Sequence, residues 1–416
     1  MRILWLTTNP KDLYNGEGWV KSLHNVFKNH SDIELALAFP SFEEKEIVKS
    51  GNTIYYPLFK KKQTSIQKMI VYYGGYKKID KNSYVNEIKK VIDDFKPNII
   101  QLFGLECPLA GILGKTDIPV IVHLQGLLGP INNAFYPVGI DKKNILKFGS
   151  IKREIILKNG FNFEKRSIAV RSEYEKSLFG KVKYAAGRTH WDKLILGIYS
   201  PTSKYYNVSE VLRPVFYDAR KWEYLKRDQL IIVSTLSENM YKGLDLVLKT
   251  AKILKEEMGL NFEWKIAGVK PNSYLVNILE KTYHINSKDV NIKYLGVQNA
   301  DEICDFLLNS SLYVHTSYID NSPNSVCEAQ LLGLPVIATN VGGVSSLIEE
   351  GLTGELVPAN APYEMAYKIR IFAEKSNNAI NIGENARIAA LKRHDRNSIF
   401  LNLMVAYNDV INDRKH

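Results

Sequence analysis

Short apolar runs rich in β-branched and aromatic residues alternate with helix-like stretches along the chain, and the alternation occurs in two series. The first comprises Ile3–Thr8, Ile33–Phe39, Thr53–Pro57, Asn98–Phe103, Pro119–Leu124 and Ser167–Val170. The second comprises Leu230–Thr235, Glu263–Ala267, Ile292–Leu295, Leu312–His315 and Pro335–Thr339, with helix-like segments such as Gly243–Met258 and Ala300–Leu308 between them. Runs of this kind read as strands buried on both faces, the condition of a parallel sheet covered by helices. At 416 residues the chain exceeds the roughly 250–300 at which a single core stops growing. The repeated pattern therefore predicts an α/β chain of two doubly wound, Rossmann-like domains. The periodicity breaks near Leu212–Asp228, so the expected domains are 1–215 and 216–390. A C-terminal helix at 391–416 is expected to pack back on the first domain through Ile399, Leu403, Ala406 and Tyr407. Two such domains facing a central cleft bind ligands beyond the carboxyl ends of their strands, so the useful residues should sit just after strands.

Composition removes several alternatives. Hydrophobic residues at 45% and charged residues at 24% exclude a disordered chain. Cys107, Cys304 and Cys327 lack C-x-x-C spacing, so neither a disulfide framework nor a thiolate metal site is expected. The N-terminal apolar run is too short for a signal peptide, and no later run reaches ~18 apolar residues, so the expected location is cytoplasmic. The net charge of +11 is uneven: residues 1–226 hold 36 Lys and Arg against 22 Asp and Glu, whereas residues 227–416 hold 19 against 22. In the basic half, Lys60-Lys-Lys62, Lys77-Lys78, Lys142-Lys143 and Lys152-Arg153 are interleaved with apolar and aromatic residues. That pattern suits an anionic membrane surface or a phosphate-bearing acceptor. No nucleic acid is expected, because no zinc, helix-turn-helix or stacking motif accompanies the charge.

The segment from His315 to Thr339 parses as strand, loop, helix, turn and strand. Ser322 is expected as the N-cap and Pro323 as the first helical residue, with Gly333 ending the helix and Pro335 opening the next strand. A helix N-terminus so placed offers backbone N–H groups to polar or anionic ligand atoms. Asp320 lies at its mouth, and Glu328 lies further along the helix, so the two carboxylates would reach different parts of one elongated ligand. Asn340-Val-Gly342-Gly343 is a second candidate anion site, because glycines allow close backbone approach.

These residues resemble the retaining glycosyltransferases of family 4 (group 1), whose GT-B fold consists of two Rossmann-like domains. Their E-x7-E signature, with its E-A-x-x-x-G-x-P-V-I-A-T run, corresponds here to Asp320-x7-Glu328-Ala-Gln-Leu-Leu-Gly333-Leu-Pro335-Val-Ile-Ala-Thr339. Gly342-Gly343 and Gly351-Leu-Thr-Gly354 follow in register. The resemblance implies a UDP- or GDP-sugar donor as substrate, with no metal and no separate cofactor. Glu328 would accept from the ribose hydroxyls, while Asp320 and the segment of Asn321, Ser322, Asn324 and Ser325 would hold the donor sugar and diphosphate. Lys242, in a K-G-x-D element, would stabilise charge growing on the leaving diphosphate. An Arg common six positions earlier is replaced by Leu236, and Lys270 is a candidate substitute. Gly268 and Gly296-Val297 resemble the wall for the nucleotide base.

In the first half, Gly16 and Gly18 resemble the family's glycine-rich loop. A dinucleotide fingerprint is disfavoured, because Lys21 stands where its third glycine belongs. His123, at the end of a strand, matches a catalytically important position, and Ala186-Gly-Arg188-Thr-His-Trp-Asp192 resembles a segment of a bacterial surface-polysaccharide branch. The resemblance thus implies a retaining transferase acting on a saccharide or lipid-linked acceptor in capsule, O-antigen or exopolysaccharide synthesis. Leu236 and Asp320 keep open a nucleotide-binding GT-B protein without transferase activity. A sugar-nucleotide epimerase is a third possibility.

Overall fold

The computed structural model describes residues 1–8, 18–60, 64–80, 82–157 and 159–413. The chain divides into two compact units, one of residues 1–132, 166–211 and 394–416 and the other of residues 133–165 and 212–393.

The first unit is built on β1 (Arg2–Leu6), β2 (Glu34–Ser41), β3 (Val48–Ser50), β4 (Thr53–Phe59), β5 (Ile99–Phe103), β6 (Val120–His123), β7 (Tyr184–Gly187) and β8 (Lys204–Asn207). Their order is β3-β4-β2-β1-β5-β6-β7-β8. Only the β3–β4 pairing is antiparallel; the others are parallel, with Ile3 of β1 opposite Leu35 of β2 and Ile99 of β5. All of β5 is buried, as expected of a central strand covered on both faces.

The run Ser167–Val170, expected as a strand, lies inside the helix Phe161–Phe179. Its buried residues Ile168, Ser172, Glu175 and Phe179 fall at helical spacing, which outweighs the local β preference of Ile-Ala-Val. The sheet is completed instead by β7 and β8, four-residue strands of small and polar composition. The last helix, Arg396–Asp413, buries Ile399, Leu403, Ala406, Tyr407 and Val410 in a core shared with Trp5 and Phe27. Each large apolar side chain so buried contributes about 1.5–3 kcal/mol. Trp5 Nε1 donates to the Tyr407 hydroxyl at 3.1 Å, and that hydroxyl donates to Gln101.

The second unit holds a parallel sheet of β9 (Leu230–Thr235), β10 (Phe262–Ala267), β11 (Ile292–Gly296), β12 (Leu312–His315), β13 (Val336–Thr339) and β14 (Glu355–Val357). The order β11-β10-β9-β12-β13-β14 reverses direction between β9 and β12. That reversal opens a crevice at the carboxyl ends of those two strands. Residues 133–165 carry a short helix, Lys142–Phe148, and a π-helical turn, Lys152–Ile156. Both are tied to the helix Tyr274–Tyr283: the Ser150 N–H donates to the Tyr274 hydroxyl at 3.0 Å, which donates to Glu154 Oε1 at 2.7 Å. Among the described residues no helix is long and apolar enough to cross a membrane.

Candidate functional site

Two loops that follow β9 and β12 meet at the crevice. The chain leaving β9 makes a 3-10 turn, Met240–Lys242, and then Gly243 at φ 78°. A Cβ on Gly243 would stand 1.9 Å from the Thr316 carbonyl oxygen, so only glycine lets the post-β9 turn lie on the post-β12 loop. The Thr316 hydroxyl donates to the Lys242 carbonyl at 3.1 Å, and the Tyr318 N–H donates to the Tyr241 carbonyl at 2.8 Å. These contacts bring Lys242 Nζ to 2.6 Å from Asp320 Oδ2. The Ser317 hydroxyl approaches the same oxygen at 3.4 Å and His315 Nε2 at 3.5 Å.

Burial opposes the charge on Asp320, but Lys242, His315 and the hydrogen bonds outweigh it and hold the carboxyl below the ordinary aspartate range. Burial likewise opposes the Lys242 ammonium, and Asp320 outweighs it, so the lysine is held above its ordinary range. His315 is pushed down to about 4, by burial first and by Lys242 second, against the pull of Asp320. The cluster at neutral pH is therefore an ammonium, a carboxylate and a neutral imidazole.

The paired glycines after β13 support Asp320 from behind. Gly342 has φ 53°, and a Cβ there would lie 1.9 Å from the Asp320 carbonyl oxygen. The Gly343 N–H donates to that same oxygen at 3.0 Å. In this structure the glycine pair serves the main chain of the acidic loop.

The helix of the motif runs Asn324–Leu332, with Pro323 in the capping position at ψ 112° and no side-chain cap. The expectation of Ser322 as N-cap and Pro323 as first helical residue is corrected by one position, because Pro323 has the φ of a helix but an extended ψ. Asn324 and Ser325 thus occupy the first turn, whose N–H groups lack intrahelical acceptors. Asn321 and Ser322 are buried in the approach. Gly333 ends the helix at φ 86°. Glu328 is 2% exposed and is gripped by Arg213, whose Nε and Nη2 donate to its two oxygens at 2.8 Å each. The Arg213 guanidinium also lies 4.9 Å from the centre of the Phe216 ring.

A further layer was not anticipated. Asp245, fully buried, accepts from Lys249 at 2.9 Å and from the Tyr318 hydroxyl at 2.8 Å. Burial raises its carboxyl despite those partners. Gly268, at φ 93°, fastens the exit of β10 to that of β9, since a Cβ would lie 2.1 Å from the Leu236 carbonyl oxygen. Leu236 itself is buried. The Lys270 N–H donates to Glu238 Oε1 at 3.1 Å. Val297, beyond β11, is exposed.

In the first unit, Gly18 directly precedes the helix Trp19–Phe27 in an extended conformation, whereas Gly16 lies outside the described residues. His123 is fully buried: its Nδ1 is 3.1 Å from the Gln101 amide, and its ring packs against Trp19 and Phe103 at 4.8 and 5.9 Å between centroids. Burial, then Arg188, pushes it down to about 3. His123 is thus a neutral imidazole packed among aromatic rings at the end of β6. In the Arg188 segment, Thr189 caps the helix His190–Tyr199 in a capping box with Asp192, and Asp192 Oδ2 accepts the Arg188 N–H at 2.8 Å. The Arg188 guanidinium lies over the Trp19 ring at 5.2 Å.

The sequence motifs give Arg213, His315, Asp245 and Tyr318 no role of their own; strand order and packing bring them to the site. A signal exists for Arg213: Glu328 is the one charged residue of its helix, and a carboxylate buried there needs a cation nearby.

Residues 218–389 match the family model described as glycosyl transferases group 1. A glycosyltransferase of Escherichia coli (strain K12) named for colanic acid biosynthesis, WcaL, is 26% identical over 152 residues, covering 35% of this chain and 36% of that protein. The N,N'-diacetylbacillosaminyl-diphospho-undecaprenol alpha-1,3-N-acetylgalactosaminyltransferase of Campylobacter jejuni is 26% identical over 203 residues, 48% of this chain and 51% of that one. The chain thus spans about a third to a half of the length of these curated relatives. The fold matches the solved sucrose-phosphate synthase of Thermosynechococcus elongatus with a TM-score of 0.74 at 12% identity, covering 99% of this chain and 100% of that one. The two parallel-sheet units are those of the GT-B glycosyltransferase fold.

Proposed function

We propose that this chain is a retaining, metal-independent glycosyltransferase that moves a sugar from a UDP- or GDP-sugar to a saccharide or lipid-linked acceptor in cell-surface polysaccharide synthesis. The observation that carries this reading is the Lys242–Asp320 pair at the reversal point of the second sheet, beside the helix N-terminus at Asn324 and the arginine-gripped Glu328. A donor diphosphate would exchange partners with this pair. Its oxygens would take the Lys242 ammonium and the first-turn N–H groups of the helix, while Asp320, released from the lysine, would accept from a donor sugar hydroxyl. Glu328, oriented by Arg213, would accept from the ribose. The acceptor hydroxyl attacks the anomeric carbon from the face the diphosphate leaves, and the departing phosphate oxygen takes its proton. His123 carries no step in this scheme.

Incubation with a panel of UDP- and GDP-sugars tests the reading through slow release of free nucleoside diphosphate. Release with one donor, abolished in Lys242→Ala, is the expected result. Tight nucleotide binding without turnover of any donor would favour a nucleotide-binding protein instead.

The lipid-linked half of the reading is supported by two surfaces that combine exposed apolar residues with lysines. In the first unit, Met69, Ile70 and Tyr73 are exposed on the helix Ser65–Gly74, which exposed Lys77 follows. In the second, Leu146, Ile151, Ile156 and Leu157 are exposed among Lys142, Lys143, Lys147 and Lys152. Lys61 and Lys62 lie outside the described residues. Cosedimentation with vesicles containing anionic lipid, but not with neutral ones, is expected. Equal recovery in the supernatant with both would remove the membrane from the proposal.

A further inference from the structure

On the carboxyl edge of the second unit's sheet, beyond β9 and β10, lies a cavity of about 630 Å3. One wall is the loop after β10 and the start of the next helix, Lys270 to Tyr274; another comes from Arg153, Asn159, Phe161 and Glu164; Glu238, from the loop after β9, also lines it. The volume falls in the range of about 300–1,000 Å3 typical of small-molecule sites.

The walls are built rather than incidental. The Tyr274 ring is stacked on Phe161 at 5.3 Å, and the Arg153 guanidinium lies 4.5 Å from its centre. Glu154 accepts from the Phe161 and Asn162 N–H groups, at 2.9 Å each, and from the Tyr274 hydroxyl at 2.7 Å. Gly160 leaves room for the Glu154 carboxylate, whose Oε1 would lie 2.0 Å from a Cβ at that position. Ser273 caps the helix Tyr274–Tyr283, accepting from the Val276 N–H at 3.2 Å, so that helix directs its N-terminus to the same wall.

Charge decides what such a cavity takes. Arg153 and Lys270 both line it and bring two positive charges to its walls. Of the two acids present, Glu238 is engaged by the Lys270 N–H. Burial, then Glu154, pushes the Glu164 carboxyl up toward its neutral form. Asn159 and Asn272 add amide groups suited to hydroxyls.

We propose that this cavity binds an anionic sugar residue of the acceptor, one bearing a carboxylate or a phosphate, with Arg153 and Lys270 meeting the charge and Glu238, Asn159 and Asn272 meeting the hydroxyls. The word acceptor rests on the glycosyltransferase reading; the binding of an anionic sugar does not.

Binding to the full-length protein by ligand-observed NMR tests it, with glucose 6-phosphate, glucuronate, neutral glucose, inorganic phosphate and UDP as separate probes. A charged sugar should saturate the protein while glucose does not. Lys270→Gln and Arg153→Gln should each weaken that binding about tenfold, the order of one lost charge-assisted contact, with thermal unfolding unchanged in both and UDP binding unchanged in Arg153→Gln. Lys270→Gln lies on a loop and guards against misfolding of the Arg153 variant. Four results would overturn the proposal: no charged sugar saturates, glucose binds equally, inorganic phosphate binds as well as glucose 6-phosphate, or UDP displaces the sugar. Failure of every nucleotide to bind would instead defeat the donor reading and leave the sugar measurements to decide this one.

Discussion

Lys242 and Asp320, 78 residues apart in sequence, neutralise each other as an ion pair at 2.6 Å. A site that binds an anion through a cation already paired must break that pair, so the two substitutions should not behave alike. Lys242→Ala removes the group that stabilises the leaving diphosphate and is expected to lower kcat by about 100- to 1,000-fold. Asp320→Asn keeps the shape of the side chain but releases the lysine. It should lower kcat while leaving donor KM unchanged or reduced. A rise in donor KM in Asp320→Asn equal to that in Lys242→Ala would mean that the pair acts only as a structural clasp.

The grip of Arg213 on Glu328 predicts a different signature. Glu328 is 2% exposed, so removing its partner strands a buried carboxylate, a change that typically costs about 3–5 kcal/mol. Arg213→Met should therefore unfold at lower temperature than Glu328→Gln, in which the charge left without its partner is that of Arg213, the more exposed of the two at 16% against 2%. Both should weaken donor binding. Equal unfolding temperatures in the two variants would show that solvent or another group serves the carboxylate.

How much of this was legible depended on whether the signal was local. Strands β1, β2, β5, β9 and β12 could be read because each is an apolar run that crosses a buried sheet. β7 and β8 could not, because Tyr-Ala-Ala-Gly and Lys-Tyr-Tyr-Asn lack such a run. Asp320 and Glu328 stood out by spacing along one segment. The contact of Asp320 with Lys242 depends on β12 lying next to β9, a matter of strand order that no window of sequence contains. His123 shows the same limit at a single residue: the end of its strand was evident, but the side to which the ring turns was not.

Buried titratable groups predict the dependence of stability on pH. His24 and His123 are pushed down to about 3 and His315 to about 4, in each case by burial first. Their unfolded forms take up protons below about 6.5 that the folded forms refuse, so stability falls as pH drops from 6.5 toward 4. Glu106 and Glu175 behave oppositely. Burial raises them to about 7 and about 8, so they stay protonated in the folded chain while the unfolded chain ionises above 4.5. Their contribution is full below 4.5 and is lost as pH rises to 7–8. Asp245 and Glu164 are raised by burial as well, so below 6.5 the acids and the histidines oppose each other, whereas from 6.5 to 8 the acids act without the histidines and the unfolding temperature should fall. Glu175→Gln should flatten the alkaline side, as measured by thermal unfolding across the range. An unfolding temperature in the parent protein that still rises between pH 7 and 8 would contradict the assignment.

Gly342 and Gly351 offer a matched pair for testing whether the glycine turn holds Asp320. Both have positive φ, 53° and 76°, so alanine carries a backbone cost of about 1–2 kcal/mol at either place. Around Gly351 there is open space, with nothing within 4 Å of an added Cβ, and the cost should end there. At Gly342 the same atom would meet the Asp320 carbonyl oxygen at 1.9 Å, so the acidic loop must move. Gly342→Ala should therefore lose both stability and donor binding, whereas Gly351→Ala should lose only the modest backbone cost and keep its donor KM. Measured side by side, unfolding temperature and donor KM separate strain in the turn from displacement of Asp320. If Gly342→Ala proves as active as Gly351→Ala, the carboxylate reaches its ligand without support from the turn behind it.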